Sequence, residues 1–362
     1  MTSRPKIGRP RAHELGIPFD GEPGPLNAMT DVAGVEVGHT TIVRGTGKLR
    51  EGRGPVRTGV TAILPRGRRD QSPAFAGYFA LNGNGEMTGT AWIEESGWLT
   101  SPVMITNTHS VGVVRDAVIA WQLKHKALRQ PWSLPVVAET WDGWLNDING
   151  FHVTAAHAHA ALDGARAGRV VEGCVGGGTG MIGYGWKGGI GTASRKLARS
   201  AGGWTLGVLV QLNCGRPWEL VIAGKQIGKV LKPQKDPFGR QELGSIIIVA
   251  ATDAPLLPHQ LKRIARRLTI GLARTGSVSG NGSGDLFLAF STAQPGRAGS
   301  NGVATTKMLS NAHMDPLFAA SAQATEEAIV NALVAAETMT GIDGHRVDAI
   351  PHDRLREIFA GK

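Results

Sequence analysis

Two cysteines and two tyrosines are all that this 362-residue sequence holds of either residue. Cys174 and Cys214 build no disulfide framework, so a small stapled secreted domain is excluded and a reducing, cytoplasmic setting is expected. With two tyrosines there is little of the aromatic platform on which nucleic-acid bases stack. Long apolar runs are missing too. No segment approaches the roughly 18 apolar residues of a membrane-spanning helix, and the N-terminal stretch has no run of signal-peptide length, so no membrane contact is expected. Neither H-E-x-x-H nor C-x-x-C occurs. There are eleven histidines, but His157 and His159 are two apart, which on a helix turns them about 200° from each other and prevents a shared ion. No metal and no cofactor are expected.

Acidic residues are in deficit, 29 against 39 Lys and Arg, for a net charge of +10 at pH 7. That balance raises nucleic acid as a partner class, and a DNA affinity falling steeply with salt would be its signature. The placement of the charge argues otherwise. Much of it lies in the N-terminal residues Arg4, Lys6, Arg9 and Arg11, in "RGRRD" at 66–70, and on one helix face. In "LLPHQLKRIARRLTIGL", Leu257, Leu261, Ile264, Leu268 and Leu272 share a stripe that leaves out Lys262, Arg263, Arg266 and Arg267. This reads as a solvated face, and no nucleic-acid partner is expected. Glycine is the surplus residue: 51 of 362 is about twice the usual share of about 7%. It is spread without a period, which implies tight turns and close backbone approaches rather than a collagen or linker.

Residues 1–26, rich in Pro, Gly and Arg, read as an extended N-terminal arm, and residues 27–362 as a single catalytic domain. Short strands are predicted at "VEVGHTTIV", "GVTAILP", "FAGYFAL", "PVMITNT", "TLGVLVQLN" and "WELVIAG", divided by glycine turns. A helix is predicted after Ser110, with Val111, Val114, Val118 and Trp121 at helical spacing. "NGFHVTAAHAHAALDGARAG" predicts another, closed by Gly168. A long helix is marked by Asp315 as cap and Pro316 in its first turn, with Phe318, Ile329 and Leu333 inward and Gly341 as its stop. This order lacks the βαβα rhythm of a doubly wound sheet and predicts an α+β layered fold. "GTGMIG" at 178–183 fits G-x-G-x-x-G, yet "YGWKGGIG" stands where the phosphate-binding helix should begin, so no dinucleotide loop is expected.

One junction invites chemistry. "KVLKPQKDPFGR", with Pro233 and Pro237, reads as an exposed loop, and Ile246 to Ala251 as a strand buried on both faces. Ser245 stands between them, behind Gly244. A serine hydroxyl is a weak nucleophile without a base to take its proton. Cutting the Gly244–Ser245 bond would give Ser245 an α-amine of pKa about 7.7–8.0, a base on the same residue as the hydroxyl. Gly244 has no Cβ to obstruct attack on its own carbonyl. Ser283 and Asp285 in "TGSVSGNGSGDLFLAF" are two apart, which at the start of a strand puts both on one face. Asn213 ends a strand in "LVQLNCG" and offers a neutral amide donor suited to an oxyanion.

Taken together, "NAMTDVAGVEVGHTT", "LNGNGEMTG", "TNTHSVG", "ETWDGWLNDINGFHV", "LVQLNCG", "GSIIIVAATDAPLLPHQLKRIARR" and "GNGSGDLFLAFST" resemble the self-processing L-aminopeptidase/D-esterase family, which includes the β-aminopeptidases. The resemblance runs from about Asn27 to beyond Gly341. It implies a four-layer αββα sandwich similar to N-terminal-nucleophile hydrolases but differently connected. It also implies cleavage between Gly244 and Ser245 into chains 1–244 and 245–362, and a homotetramer of processed protomers. By motif match it makes Ser245 the nucleophile, Ser283 and Asp285 its supporting hydroxyl and carboxylate, and Asn213 an oxyanion donor. Glu139 would bind the ammonium of a peptide, amide or ester substrate, with Trp141 and Asn107 also at the substrate site. Where the family pattern has tyrosine this chain has Trp141, so only an indole N–H can donate there. The Ser245 amine and the Ser283 hydroxyl both stand as candidates for taking the proton. An acyltransferase, as in the distantly similar ornithine acetyltransferases, would use the same acyl-enzyme with an amine in place of water.

Overall fold

The computed structural model describes residues 9–128, 130–233, 244–293 and 300–361. Its strands include Glu36–Arg44 (β1), Val56–Leu64 (β2), Ala74–Gly83 (β3), Trp98–Leu99 (β4), Val103–Asn107 (β5), Val136–Thr140 (β6), Ile182–Gly183 (β7), Trp186–Lys187 (β8), Gly189–Lys196 (β9), Thr205–Asn213 (β10), Ser245–Thr252 (β11) and Gly284–Ser291 (β12). The helices that matter are Thr90–Ser96 (α1), Val111–Lys124 (α2), Ala155–Asp163 (α3), Ile227–Val230 (α4), Pro258–Arg274 (α5) and Asp315–Ala335 (α6). One sheet has the order β1-β2-β5-β6 and the other β4-β3-β12-β11-β10-β9; two short strands, β7 and β8, form a separate hairpin.

Three cores separate four layers. The apolar run of β11 shows why. Ile246, Ile248 and Ala250 face outward, packing with Leu261, Ile264, Ala328 and Leu333 of α5 and α6, while Ile247, Val249 and Ala251 face the other sheet and meet Ile63, Ile105 and Ala138. A strand covered on both sides needs apolar residues at every position, and alternation would leave polar groups in one core. On the far side of the smaller sheet, Val60, Ala62, Leu64, Met104 and Val137 pack against Val114, Val118 and Trp121 of α2 and Ala158 and Leu162 of α3. The result is the expected αββα sandwich. Ahead of it, Ala12, Leu15 and Ile17 are buried against the outer helical core, and the buried Arg11 guanidinium pairs with Glu172 at 3.0 Å.

Several elements differ from the sequence reading. α3 ends at Asp163 with Gly164 as its cap, not at Gly168, because Arg166 exchanges backbone hydrogen bonds with Val37 of β1. α6 stops at Ala335, well before Gly341. "WELVIAG" is no strand: Pro217–Glu219 is a 3₁₀ turn, and the apolar Leu220 and Ile222 are buried from a loop. Strand β9 went unread because "GIGTASRK" looks like turn sequence. Its glycine has a packing cause: a Cβ on Gly191 would lie 2.0 Å from the Ala328 carbonyl oxygen, so α6 approaches the sheet only where no side chain intervenes. "VVAET" of β6 went unread as well, being five residues without an alternating pattern. Most of the loop read before Ser245 falls at 234–243, outside the described residues.

Candidate active site

Register brings the separated motifs together. Ser245, the first residue of β11, pairs with Asn213, the last of antiparallel β10, and with Gly284, the first of parallel β12. The Gly284 N–H donates to Ser245 Oγ at 3.0 Å, and the Ser245 side chain is buried. One residue before that N–H, the fully buried Ser283 donates its hydroxyl to Asp285 Oδ1 at 2.7 Å, so the two side chains do share a face. Gly244 lies against β10 so closely that a Cβ would fall 1.9 Å from the Asn213 carbonyl oxygen. Any other residue there would push the chain off its neighbour.

The Asn213 amide is held at both ends. Its Nδ2 donates to the Trp141 carbonyl at 3.0 Å, and its Oδ1 accepts from the Ile182 N–H at 2.8 Å. A flipped amide would set oxygen against oxygen and N–H against N–H, so this pair of contacts fixes the orientation. An amide nitrogen carries two hydrogens, and the Trp141 carbonyl accepts one of them.

Glu139 belongs to the other sheet, on β6, and is 4% exposed. Its carboxylate accepts from the Glu86 N–H at 2.9 Å and from the Thr108 hydroxyl. Burial raises its pKa above the ordinary carboxylate value against the opposing pull of those two bonds. The "NGNG" turn after β3 joins Glu139 to the serine: a Cβ on Gly85 would lie 3.3 Å from Glu139 Oε1 and 3.2 Å from Gly284 Cα. The carboxylate thus stands across one glycine from the residue that bonds Ser245. Thr108, Gly85 and the Gly284 N–H were not singled out from sequence. All three lie inside the motif blocks, but backbone donors and small residues carry no side-chain signature.

Trp141 contributes its carbonyl to Asn213, while its indole packs over Gly143, where a Cβ would come 2.6 Å from the ring. Asn107 is buried, with Nδ2 donating to Thr58 Oγ1 at 2.7 Å, in a polar cluster with Asp142 and Asn146 behind Trp141. Burial pushes the Asp142 carboxyl up from 3.8 to about 7, against the opposing pull of Asn146, which donates to its Oδ1 at 3.0 Å, and of the neighbouring Thr58 and Asn107. Among the described residues no His, Cys, Asp and Glu cluster could hold a metal ion, and no helix is long and apolar enough to cross a membrane.

Comparison with known proteins places the fold. The solved L-aminopeptidase D-Ala-esterase/amidase of Ochrobactrum anthropi, described as a prototype of the serine aminopeptidases and a variant of the Ntn-hydrolase fold, superposes with a TM-score of 0.90 at 47% identity, covering 98% of this chain and 99% of that one. A β-aminopeptidase from a Burkholderia species superposes at 0.89 with 50% identity, covering 97% and 99%. The β-peptidyl aminopeptidase BapA of Sphingosinicella microcystinivorans is 52% identical over 97% of this chain and 92% of its own length. The fold is therefore that of the Ntn-hydrolase-like serine aminopeptidases. The chain belongs to peptidase family S58, whose pattern it matches over residues 27–347, and it is a hydrolase of the aminopeptidase class.

Proposed function

We propose that this aminopeptidase activates itself by cutting the Gly244–Ser245 bond and then uses Ser245 as its nucleophile. The observation that carries the reading is the setting of Ser245, a buried hydroxyl heading a central strand between Asn213 and Gly284, with the Ser283–Asp285 pair one residue away. In self-cleavage the Ser245 oxygen attacks the Gly244 carbonyl carbon, the peptide C–N bond breaks, and water hydrolyses the resulting ester. The released α-amine is then the nearest base to the hydroxyl. Because Ser283 gives its hydroxyl proton to Asp285, its oxygen lone pairs are left to accept from that amine and steady it.

In turnover, Ser245 Oγ bonds the carbonyl carbon of the substrate's N-terminal residue. Its proton passes by way of the amine to the leaving nitrogen or oxygen, and water then frees the acyl group. The second Asn213 hydrogen receives the developing oxyanion, and Glu139 receives the substrate's ammonium. The names of the relatives support amides and esters of residues with a free amine, α or β, as the substrate class. A homotetramer of processed protomers belongs to the same proposal, and light scattering on the purified protein measures it. Intact mass under denaturing conditions is the test of processing. The expected pieces are 244 and 362 − 244 = 118 residues, and Ser245→Ala should stay one inactive chain. An uncut 362-residue chain that hydrolyses peptides would refute the mechanism.

A further inference from the structure

The glycine-rich stretch "GTGMIGYGWKGG" has a side chain that the proposed mechanism does not use. Lys187 is fully buried, and burial pushes its ammonium below the ordinary lysine value. Its Nζ donates to three backbone carbonyls: Met181 at 2.7 Å, Gly188 at 2.9 Å and Gly178 at 3.5 Å. An ammonium has three hydrogens, one for each of these carbonyls, and the Cys174 side chain and the Asp142 carboxyl nearby also favour its charged form. A buried lysine is costly to keep, which makes the thing it holds worth identifying.

What it holds is the β7–β8 hairpin. Ile182 pairs with Lys187 and Gly183 with Trp186, and the connecting Tyr184 and Gly185 have φ of 54° and 76°, the pair of positive values a tight type I′ turn demands. Two residues per strand give such a hairpin little stability of its own. Lys187 ties its closing end to Gly178 and Met181 on one side and Gly188 on the other. The hairpin is stitched to the active-site strand in turn: the Tyr184 N–H donates to the Cys214 carbonyl at 2.9 Å, and the Ile182 N–H to Asn213 Oδ1 at 2.8 Å. That last bond is one of the two that set which way the Asn213 amide faces.

We infer that Lys187 is a positioning residue for the reaction: by clamping the β7–β8 hairpin through three carbonyls, it fixes the Ile182 N–H that orients the Asn213 amide toward the oxyanion. The inference rests on the proposed role of Asn213. Removing the ammonium frees three carbonyls and loosens the hairpin, so the amide samples orientations in which its hydrogen is misdirected. The loss falls on the transition state, since the amide's donation grows with the charge on the oxygen. Lys187→Arg keeps a charge, but a planar fork cannot meet three carbonyls grouped around a single nitrogen.

A double-mutant cycle tests this, read as kcat and KM on an alanyl anilide with processed protein. Asn213→Ala should lower kcat by about 10²–10³-fold. Lys187→Met should lower kcat by roughly 10–100-fold with KM within about twofold, yet by under threefold when Asn213 is already alanine, because residues that act through one another do not add. Lys187→Arg should fall between wild type and Lys187→Met, and it serves for the cycle if the methionine variant does not fold. Losses that multiply in full, or a wild-type kcat in Lys187→Met, overturn the inference and leave the role of Asn213 standing. A wild-type rate in Asn213→Ala overturns that role and the inference with it. If neither lysine variant folds, Lys187 serves folding, and the positioning role is overturned.

Discussion

In the proposed mechanism, acetylating the amine of a substrate removes the one charge that the buried Glu139 carboxylate would meet. Glu139 is 4% exposed and already accepts from the Thr108 hydroxyl and the Glu86 N–H, so it stays ordered whether or not substrate is present. Its raised pKa shows that these two bonds do not fully offset burial. A substrate ammonium supplies the missing opposite charge. A hydrogen bond to a charged group contributes about 1.5–3 kcal/mol, and about 2 kcal/mol is thirtyfold. The expected result is a kcat/KM at least about thirtyfold lower for N-acetyl-alanyl anilide than for the free-amine compound. Glu139→Gln keeps the shape and removes the charge, so it should cut the rate on the free amine far more than on the capped substrate. The pH profile carries the same signature. As pH falls through the Glu139 pKa the carboxylate is lost and binding weakens, and because that pKa is raised, the acid limb of kcat/KM should lie above the ordinary glutamate value of about 4.3. Equal kcat/KM for capped and free substrates in the wild type would refute the ammonium site and with it the aminopeptidase geometry.

Two further changes probe the frame of the site. Gly244→Ala sets a methyl 1.9 Å from the Asn213 carbonyl oxygen, a contact that no rotamer relieves, so β10 and β11 must part at the proposed cleavage point. Denaturing mass spectrometry should find the chain uncut or cut far more slowly, and wild-type processing would show that the contact yields cheaply. Asp142 holds its proton more tightly in the folded chain, at about 7 against 3.8. The stability it contributes is complete below about pH 4 and is lost as pH rises toward 7, on the order of 4 kcal/mol by linkage. Asp142→Asn should flatten that window in urea titrations and exceed the wild type in stability at pH 8; a parallel pH dependence in both proteins would count against the buried acid.

The sequence by itself determined the layers and the candidate site residues. A run such as "IIIVAA" can only be a strand covered on both faces, and the leucine stripe of "LKRIARRLTIGL" can only be a helix laid on a sheet with its arginines outward. Ser245, Ser283, Asp285, Asn213 and Glu139 stood out as candidates because each sits at or beside a strand end inside a distinctive block, where side-chain chemistry and local position are both encoded nearby. Tertiary structure alone decided how they meet. β11 lies between β10 and β12, so Ser245 faces Asn213 and Gly284, residues whose distance along the chain gives no hint of adjacency. Strand β9 was hidden because its Gly191 answers to a helix packed from elsewhere, and α3 stopped early because Val37 of β1 claimed the chain beyond it. Lys187 shows the same division. Its charge can be read from the sequence, but the hairpin and the cage of three carbonyls around a buried ammonium exist only once the chain has closed on itself.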